Sequence, residues 1–316
     1  MVSFKMSLLP GISVVVPVYN AEATLPDLMA RLDCALEECG CEFEVVLVND
    51  GSLDRSWDVV ENLARTHSCV RGMNLMRNYG QHNALLCGVR AARYDTTVTM
   101  DDDLQHPPEE IPGLLAKLAE GYDVVYATPE REQHGFWRDL AARLTKLVLQ
   151  GVLGAETARK ISAFRAFRTH MRSAFASYES PLVSIDVLLS WGTTRFAAIP
   201  ARHEPRRQGK SNYTFLRLAT HAFNMLTGFT TLPLQLASLI GFAFTLFGFG
   251  VLAYVVVRYF LEGGSVPGFP FLASVIAIFS GVQLFALGII GEYLARIHFR
   301  LMDRPPYVVR GTTSQS

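Results

Sequence analysis

Three consecutive carboxylates, Asp101–Asp103, are the side chains best suited to chemistry in this sequence. They follow residues 96–100, a β-branched run that predicts a strand. Side chains alternate along an extended backbone, so Asp101 and Asp103 are expected on one side and Asp102 on the other. Converging carboxylates repel each other unless a cation lies between them, and Mg²⁺ or Mn²⁺ commonly bridges such oxygens to substrate phosphates. The stretch therefore predicts a metal site; a solvated acidic turn is the alternative.

The elements that must position these acids alternate between strand and helix. Strands are predicted at residues 12–17, 42–49, 70–76, 96–100 and 123–127, and helices at 23–39, 56–66, 81–93, 109–120 and 136–153. This alternation is typical of an α/β fold with a mostly parallel sheet. Ligands bind such sheets outside the carboxyl ends of the strands. Asp50 and Asp101–Asp103 both follow strands, so we expect them to face one cleft.

The composition limits the class of protein. The chain has 316 residues, 50% of them hydrophobic, with 29 acidic and 29 basic side chains, a length that suits about two domains. Zero net charge argues against nucleic acid as a partner. The cysteines are odd in number and lack paired spacing, which predicts reduced thiols and neither disulfides nor a zinc site. They are Cys34, Cys39, Cys41, Cys69 and Cys87.

Two long stretches near the C-terminus predict a membrane anchor. Residues 222–257 and 263–291 contain no Asp, Glu, Lys or Arg. Each exceeds the roughly 20 residues that cross a bilayer as a helix. We expect two transmembrane helices, at residues 232–260 and 269–290, joined by a short loop. Buried core helices are the alternative, which the uninterrupted apolar length disfavours.

Basic residues on both flanks of the hairpin predict its orientation. The flanks carry Arg202, Arg206, Arg207, Lys210 and Arg217 before the first span, and Arg296, Arg300, Arg304 and Arg310 after the second. The positive-inside rule then leaves both termini cytoplasmic at an inner or plasma membrane. The predicted division is a cytosolic domain at 1–210, an interfacial amphipathic helix at 211–230, two transmembrane helices within 231–292 and a cytosolic tail at 293–316.

Four short motifs carry a resemblance to a known family. They read V-V-V-P-V-Y-N at 14–20, V-N-D-G-S at 48–52, R-N-Y-G-Q-H at 77–82 and D-D-D-L-Q-x-P-P-E at 101–109. In this order they resemble the GT-A-fold (Rossmann-like) glycosyltransferases of family two. With G-Y-D-V-V at 121–125, F-R-A-F-R at 164–168 and two C-terminal spans, they resemble the polyisoprenyl-phosphate sugar transferases. That group includes dolichyl-phosphate mannose synthase and bacterial undecaprenyl-phosphate glucosyl- and aminoarabinose-type transferases; R-N-Y-G-Q-H most resembles the aminoarabinose type.

The resemblance implies a role for each matching residue. It implies nucleotide-sugar contacts from Pro17, Tyr19, Asn20, Asp50, Arg77, Gly80 and Asp102. It implies Mg²⁺ or Mn²⁺ on Asp101, Asp103 and Gln105, and an acceptor phosphate on Arg165, Arg206, Arg207, Lys210 and Ser211. Asp101, Asp103 and Arg165 would be the catalytic residues. A structural ion pair is the alternative for Arg165.

Two positions depart from the family pattern. Asn212 stands where a lysine is expected before Tyr213, and Ser162 lies in a segment where some bacterial members have an acid. Transfer to a hydroxyl needs a base, but a phosphate monoester, whose second pKa is about 6, is already ionised at neutral pH. A metal ion would stabilise the departing nucleoside diphosphate. Loss of the acid therefore favours a phosphate acceptor and a single displacement that inverts the anomeric centre.

The leading hypothesis is transfer of a sugar from a nucleotide-sugar donor to undecaprenyl phosphate or a similar polyisoprenyl phosphate. The family resemblance favours UDP as the donor nucleotide. A membrane glycosyltransferase with a hydroxyl acceptor is the alternative, and GDP remains an alternative nucleotide. A transporter component is disfavoured because the two spans lack ionisable residues. A degenerate nucleotide-binding scaffold is disfavoured by the intact acidic residues. Because some relatives are tetramers, a homo-oligomer is expected; the sequence does not identify the sugar.

Overall fold

The computed structural model describes residues 11–129, 161–202, 204, 231–262, 268–302 and 304–313. The chain divides into two compact units. The first comprises Met1–Phe215 together with Asp303–Ser316, and the second comprises Leu216–Met302. The predicted helix at 136–153 and the predicted interfacial helix at 211–230 lie outside the described residues.

The first unit is built on one eight-stranded sheet with the order β7-β5-β6-β4-β1-β2-β3-β8. The strands are β1 (Ile12–Val18), β2 (Phe43–Asn49), β3 (Val70–Leu75), β4 (Thr96–Thr99), β5 (Val124–Pro129), β6 (Arg165–Arg168), β7 (Phe196–Ala201) and β8 (Val309–Thr312). The helices are α1 (Leu25–Glu38), α2 (Ser56–Thr66), α3 (Gln81–Ala91), α4 (Ile111–Ala119) and α5 (Ile185–Ser190).

The sheet is covered on both faces, which explains the continuous apolar runs of its central strands. All seven residues of β1 are buried, as expected for parallel strands packed on two sides. Alternate residues of β1 enter two separate hydrophobic clusters: Val14 and Val16 pack with α1 and α4, whereas Val15 packs with α3. The core therefore fixes the central strands and the ends from which the loops emerge.

The predicted α/β fold with a mostly parallel sheet is confirmed. Strand β1 pairs in parallel with β2 and β4, and β2 pairs in parallel with β3. The antiparallel strands β6 and β8 were not predicted, because each has only four residues and both lie far along the chain from their partners. Residues 309–312, predicted as part of a tail, form the edge strand β8.

The second unit contains two apolar helices, α6 (Leu232–Glu262) and α7 (Phe269–Leu301). Segments Pro233–Arg258 and Ile278–His298 are long and apolar enough to cross a membrane, and neither is buried inside the protein. Phe244 and Phe279 pack edge to face with ring centroids 5.8 Å apart. Outward-facing apolar surface of this length fits lipid better than water.

Helix α7 continues beyond the predicted end of the second span at residue 290. Glu292 and Arg296 form an ion pair of 2.6 Å one helical turn apart in this extension. The first charged residue ends the apolar stretch, but a charged pair at this spacing lets the helix continue. The sequence pattern therefore predicted the apolar segment of α7 but not the residue at which the helix ends.

Candidate functional site

The acidic stretch Asp101–Asp103 lies in a turn beyond the end of β4. Leu104 has a φ of 58°, a left-handed conformation that closes this turn. All three aspartates line the same cleft, and their backbone is not extended strand, so the alternation from which Asp102 was expected on the other side does not apply. Alternation of side chains requires an extended backbone, and the strand ends at Thr99 before the acids begin.

The cleft occupies about 250 Å³ at the carboxyl ends of β1, β2, β3 and β4. Its lining comprises Pro17, Val18, Tyr19, Asp50, Asn78, Gly80, Gln81, Asp101, Asp102 and Asp103. The loops after four neighbouring strands therefore meet at one edge of the sheet. This confirms the expectation that Asp50 and Asp101–Asp103 face one cleft, where ligands of parallel sheets bind.

Asp50 holds the loop that follows β3. The N–H groups of Tyr79 and Gly80 donate to its two carboxylate oxygens at 2.7 and 2.8 Å. Burial raises the pKa of the Asp50 carboxyl, and the two N–H donors oppose that shift. A Cβ on Gly51, whose φ is +66°, would lie 2.5 Å from the carbonyl carbon of Arg77. Glycine is required there because the loop passes directly over it.

Asp50→Asn is expected to lower the free energy of unfolding by about 1–3 kcal/mol, because an amide nitrogen would face a partly buried N–H donor. The same change should weaken nucleotide binding, since the loop contributes to the cleft. Urea unfolding and calorimetric titration with UDP would measure both effects. Asp58→Asn, an exposed aspartate on α2, is the control. Equal stability of the two variants would show that the Asp50 contacts contribute little.

The loop after β1 is fastened to its neighbours on both sides. The N–H of Tyr19 donates to Asp102 Oδ2 at 3.0 Å, which joins this loop to the acidic turn. Asn20, with φ of 53°, donates its N–H to Ser52 Oγ at 3.0 Å and accepts from the N–H of Leu53 at 2.8 Å. Asn20 therefore positions the cleft walls but is absent from the cleft lining.

Gln81 and Asn78 line the cleft but were not assigned a role from the sequence. The side-chain amide of Gln81 donates to Asp101 Oδ1, so α3 contacts the acidic turn directly. Both residues belong to R-N-Y-G-Q-H at 77–82, and their position after β3 was the available signal. Arg77 extends its guanidinium over the Tyr79 ring, 4.7 Å from the centroid, and its contact with a nucleotide sugar stays a prediction.

Gln105 joins the acidic turn to the segment after β7. Its N–H donates to Asp103 Oδ1 at 3.2 Å, and its carbonyl accepts the N–H of Glu204 at 2.9 Å. Gln105 is not part of the cleft lining, so metal ligation by this side chain stays a prediction. The predicted acceptor-phosphate residues Arg206, Arg207, Lys210 and Ser211 lie outside the described residues.

Arg165 lies in the core, with 1% of its surface exposed. Its guanidinium forms an ion pair with Asp186 of α5, and its Nε donates to Thr99 Oγ1 at 3.1 Å. Tyr126 donates its hydroxyl to the same Asp186 oxygen at 3.0 Å. Burial alone would lower the pKa of the Arg165 guanidinium, but the Asp186 charge carries it above the ordinary value.

This geometry corrects the assignment of Arg165. The sequence predicted direct contact with an acceptor phosphate, whereas the side chain is fully enclosed and its guanidinium faces Asp186. The alternative of a structural ion pair is what the structure contains. Asp186 was missed because it lies 21 residues away along the chain, in a segment without a recognisable motif.

The acidic turn fits a divalent cation of the kind that binds diphosphates. Within the described residues, no three His, Cys, Asp or Glu side chains form a cluster that could hold a metal ion by themselves. Mg²⁺ is usually held by one or two carboxylates, with substrate phosphates and water completing the coordination. Asp101 and Asp103 suit this incomplete ligand set, because both line an open cleft with oxygen donors.

Comparisons with known proteins agree with this geometry. The family model described as "Glycosyl transferase family 2" matches residues 13–175. An undecaprenyl-phosphate 4-deoxy-4-formamido-L-arabinose transferase of Pseudomonas aeruginosa is 39% identical over 96% of this chain and 91% of its own length. The protein of the same name from Shewanella sediminis is 38% identical over 95% of this chain and 91% of its own length.

The fold has solved counterparts. Glucosyl-3-phosphoglycerate synthase from Mycobacterium tuberculosis, crystallised with Mn²⁺, UDP-glucose and phosphoglyceric acid, superposes with a TM-score of 0.53. The match covers 72% of this chain and 83% of that one, at 18% sequence identity. This similarity establishes the same GT-A fold.

Proposed function

Because the chain belongs to glycosyltransferase family 2 and is a glycosyltransferase, we propose that it transfers a 4-deoxy-4-formamido-L-arabinose-type sugar, with inversion, to undecaprenyl phosphate. One observation carries the proposal. Asp50 and the acids Asp101–Asp103 line a single cleft, in a chain that aligns with transferases of that name over 96% of its length. UDP is the donor nucleotide implied by the family resemblance.

The chain's own residues would bind and orient the donor. Pro17, Tyr19 and the loop held by Asp50 would enclose the nucleotide, because they form the walls of the cleft. Asp101 and Asp103 would hold Mg²⁺ or Mn²⁺ against the diphosphate. The metal supplies Lewis-acid stabilisation of the leaving group when bound. Gln81, which donates to Asp101, must give up that contact or share the carboxylate when a cation binds.

The acceptor side would need cations and no general base. The acceptor phosphate is mostly ionised at neutral pH, so the protein has only to orient it and to offset its repulsion of the donor diphosphate. Arg206, Arg207, Lys210 and Ser211 are the proposed ligands. Their segment follows Glu204, whose N–H donates to the Gln105 carbonyl at the acidic turn. Such a segment would begin close to the donor cleft.

The proposed location is the cytoplasmic face of the inner membrane, with both termini cytoplasmic. Two observations support it. Residues Met1–Phe215 and Asp303–Ser316, from before and after the two helices, belong to one compact unit, which favours the same side of the membrane for both. The basic residues that flank the apolar helices favour the cytoplasmic side. A homo-oligomer stays a prediction.

The protein in detergent with Mn²⁺ and undecaprenyl phosphate should convert one nucleotide sugar of a panel into a lipid-linked sugar. The panel would hold UDP-4-deoxy-4-formamido-L-arabinose, UDP-glucose, UDP-N-acetylglucosamine and GDP-mannose, with mass spectrometry of the lipid extract as readout. The formamido sugar is the expected donor. Product from another donor would correct the sugar. No product from any donor, with UDP still bound, would contradict the lipid-phosphate acceptor.

A further inference from the structure

We propose that β8, the strand after the two apolar helices, is a positioning element of the donor cleft. It fixes Met76, the first residue of the loop 76–80 that follows β3, and thereby holds that loop against the nucleotide. The inference rests on the proposed function only in identifying the ligand of the cleft as a nucleoside diphosphate. It assigns a function to a segment that carries none of the recognised motifs.

Strand β8, with the flanking residues Val308 and Thr313, covers the free edge of β3 from Gly72 onwards. It pairs Met73 with Thr312 and Leu75 with Val309 in an antiparallel ladder. Beyond the ladder, Gly72 and Thr313 exchange two hydrogen bonds: the Gly72 N–H donates to Thr313 Oγ1 at 2.8 Å, and the Thr313 N–H to the Gly72 carbonyl at 2.9 Å. At the end of β8 away from the cleft, the Thr313 side chain therefore supplies the last hydrogen bond between the two segments.

At the cleft end, β8 satisfies both backbone groups of Met76. The Met76 N–H donates to the Val308 carbonyl at 2.9 Å, and the Met76 carbonyl accepts from Arg310 Nη2 at 3.3 Å. Tyr307 and Val309 pack against the hydrophobic cluster that contains Leu75 and α3. The strand is thus anchored in the core of the domain and reaches the first residue of the loop.

The loop itself is clamped at three points. Met76 is held by β8, the backbone of Arg77 and Asn78 lies against Gly51, and the N–H groups of Tyr79 and Gly80 are held by Asp50. Asn78, Gly80 and Gln81 line the cleft, so the clamps set the shape of one wall. Loss of β8 releases the first clamp and turns β3 into an edge strand with unpaired backbone groups.

Without β8, the loop would have to become ordered when the donor binds, and the free energy of that ordering opposes binding. Each 1.4 kcal/mol of ordering free energy should weaken donor binding by about tenfold. None of the proposed acceptor ligands, Arg206, Arg207, Lys210 and Ser211, belongs to this loop. Loss of β8 should therefore raise the KM for the nucleotide sugar and the Kd for UDP, with the KM for undecaprenyl phosphate unchanged. A merely structural strand would affect both substrates together.

The experiment compares two truncations of the full membrane protein in detergent. One chain ends after Pro306 and lacks β8; the matched control ends after Thr313 and keeps it. Calorimetric titration with UDP and Mn²⁺ should give about tenfold weaker binding by the first chain, by the ordering argument, and normal binding by the control. A synthetic peptide of residues 307–316 should restore UDP binding when added to the short chain. Arg310→Ala should give a smaller rise in Kd that Arg310→Lys largely reverses.

Unchanged UDP affinity in the chain that ends after Pro306 would overturn the proposal. So would an equal rise in both KM values that the peptide does not reverse, because that pattern reports a general loss of structure. Failure of the proposed function has a different signature. The full-length protein would then form no lipid-linked sugar, whereas the effect of β8 on the Kd for UDP can be measured without turnover.

Discussion

Asp103→Ala is expected to lower the rate of lipid-linked sugar formation by about a thousandfold, since several kcal/mol of charge stabilisation in the transition state would be lost. Asp103 lines the cleft beside Asp101, and these two carboxylates are the proposed ligands of the cation. Removal of one halves the protein's share of the ligands. The measurement is the initial rate of product formation with saturating Mn²⁺, followed by mass spectrometry of the lipid.

Asp95→Ala is the matched control for this change. Asp95 is an exposed aspartate directly before β4, at the end of the strand opposite to the acidic turn, so its loss removes the same charge from the same element. Electron paramagnetic resonance of Mn²⁺ in the presence of UDP gives a readout independent of turnover. The Asp103 variant should bind Mn²⁺ more weakly than the control. Full activity and normal Mn²⁺ binding in Asp103→Ala would remove this turn from the mechanism.

Asp186→Asn is expected to destabilise the domain by about 3–5 kcal/mol, the usual consequence of leaving a buried charge unpaired. Arg165 is enclosed, and its charge is balanced by Asp186 among the contacts that the structure describes. For a domain of about 200 residues, a loss of this size lowers the melting temperature by roughly 10 °C. Differential scanning fluorimetry of the detergent-solubilised protein would measure it.

The double variant Arg165→Met, Asp186→Leu separates the cost of an unpaired charge from the cost of altered packing. Replacement of a buried pair by apolar residues of similar volume is often neutral or stabilising. The double variant should therefore melt at a higher temperature than Asp186→Asn. If it also keeps normal affinity for undecaprenyl phosphate, Arg165 is purely structural. A melting temperature of Asp186→Asn within 2 °C of the parent, against the roughly 10 °C expected, would contradict the burial of this pair.

Local patterns were sufficient to predict the elements that build the cleft. Helix α2 has the predicted bounds, and the four strands that support the cleft lie within a residue or two of their predicted positions. Apolar runs and their flanking polar residues encode these elements directly, because β1, β2 and β4 are buried on both faces. The convergence of Asp50 with the acidic turn followed from the parallel sheet alone.

What the sequence did not predict depends on contacts between distant segments. To predict where Asp102 lies, one would need to know that β4 ends at Thr99. To predict the ion-pair partner of Arg165, one would need to know that α5 lies against β6, and no periodicity in the sequence indicates that contact. The pairing of β8 with β3 joins residues more than 230 positions apart, across the whole apolar hairpin. Such contacts are set by tertiary packing, which a single sequence read locally does not contain.

The most direct test of the central claim is a comparison of two acceptors that differ only in the phosphate. Undecaprenyl phosphate and undecaprenol would be offered with the donor and Mn²⁺, and the lipid products measured by mass spectrometry. A phosphate acceptor activated by its own charge predicts product from undecaprenyl phosphate and none from undecaprenol. Transfer to undecaprenol at a comparable rate would require a general base and would contradict the account.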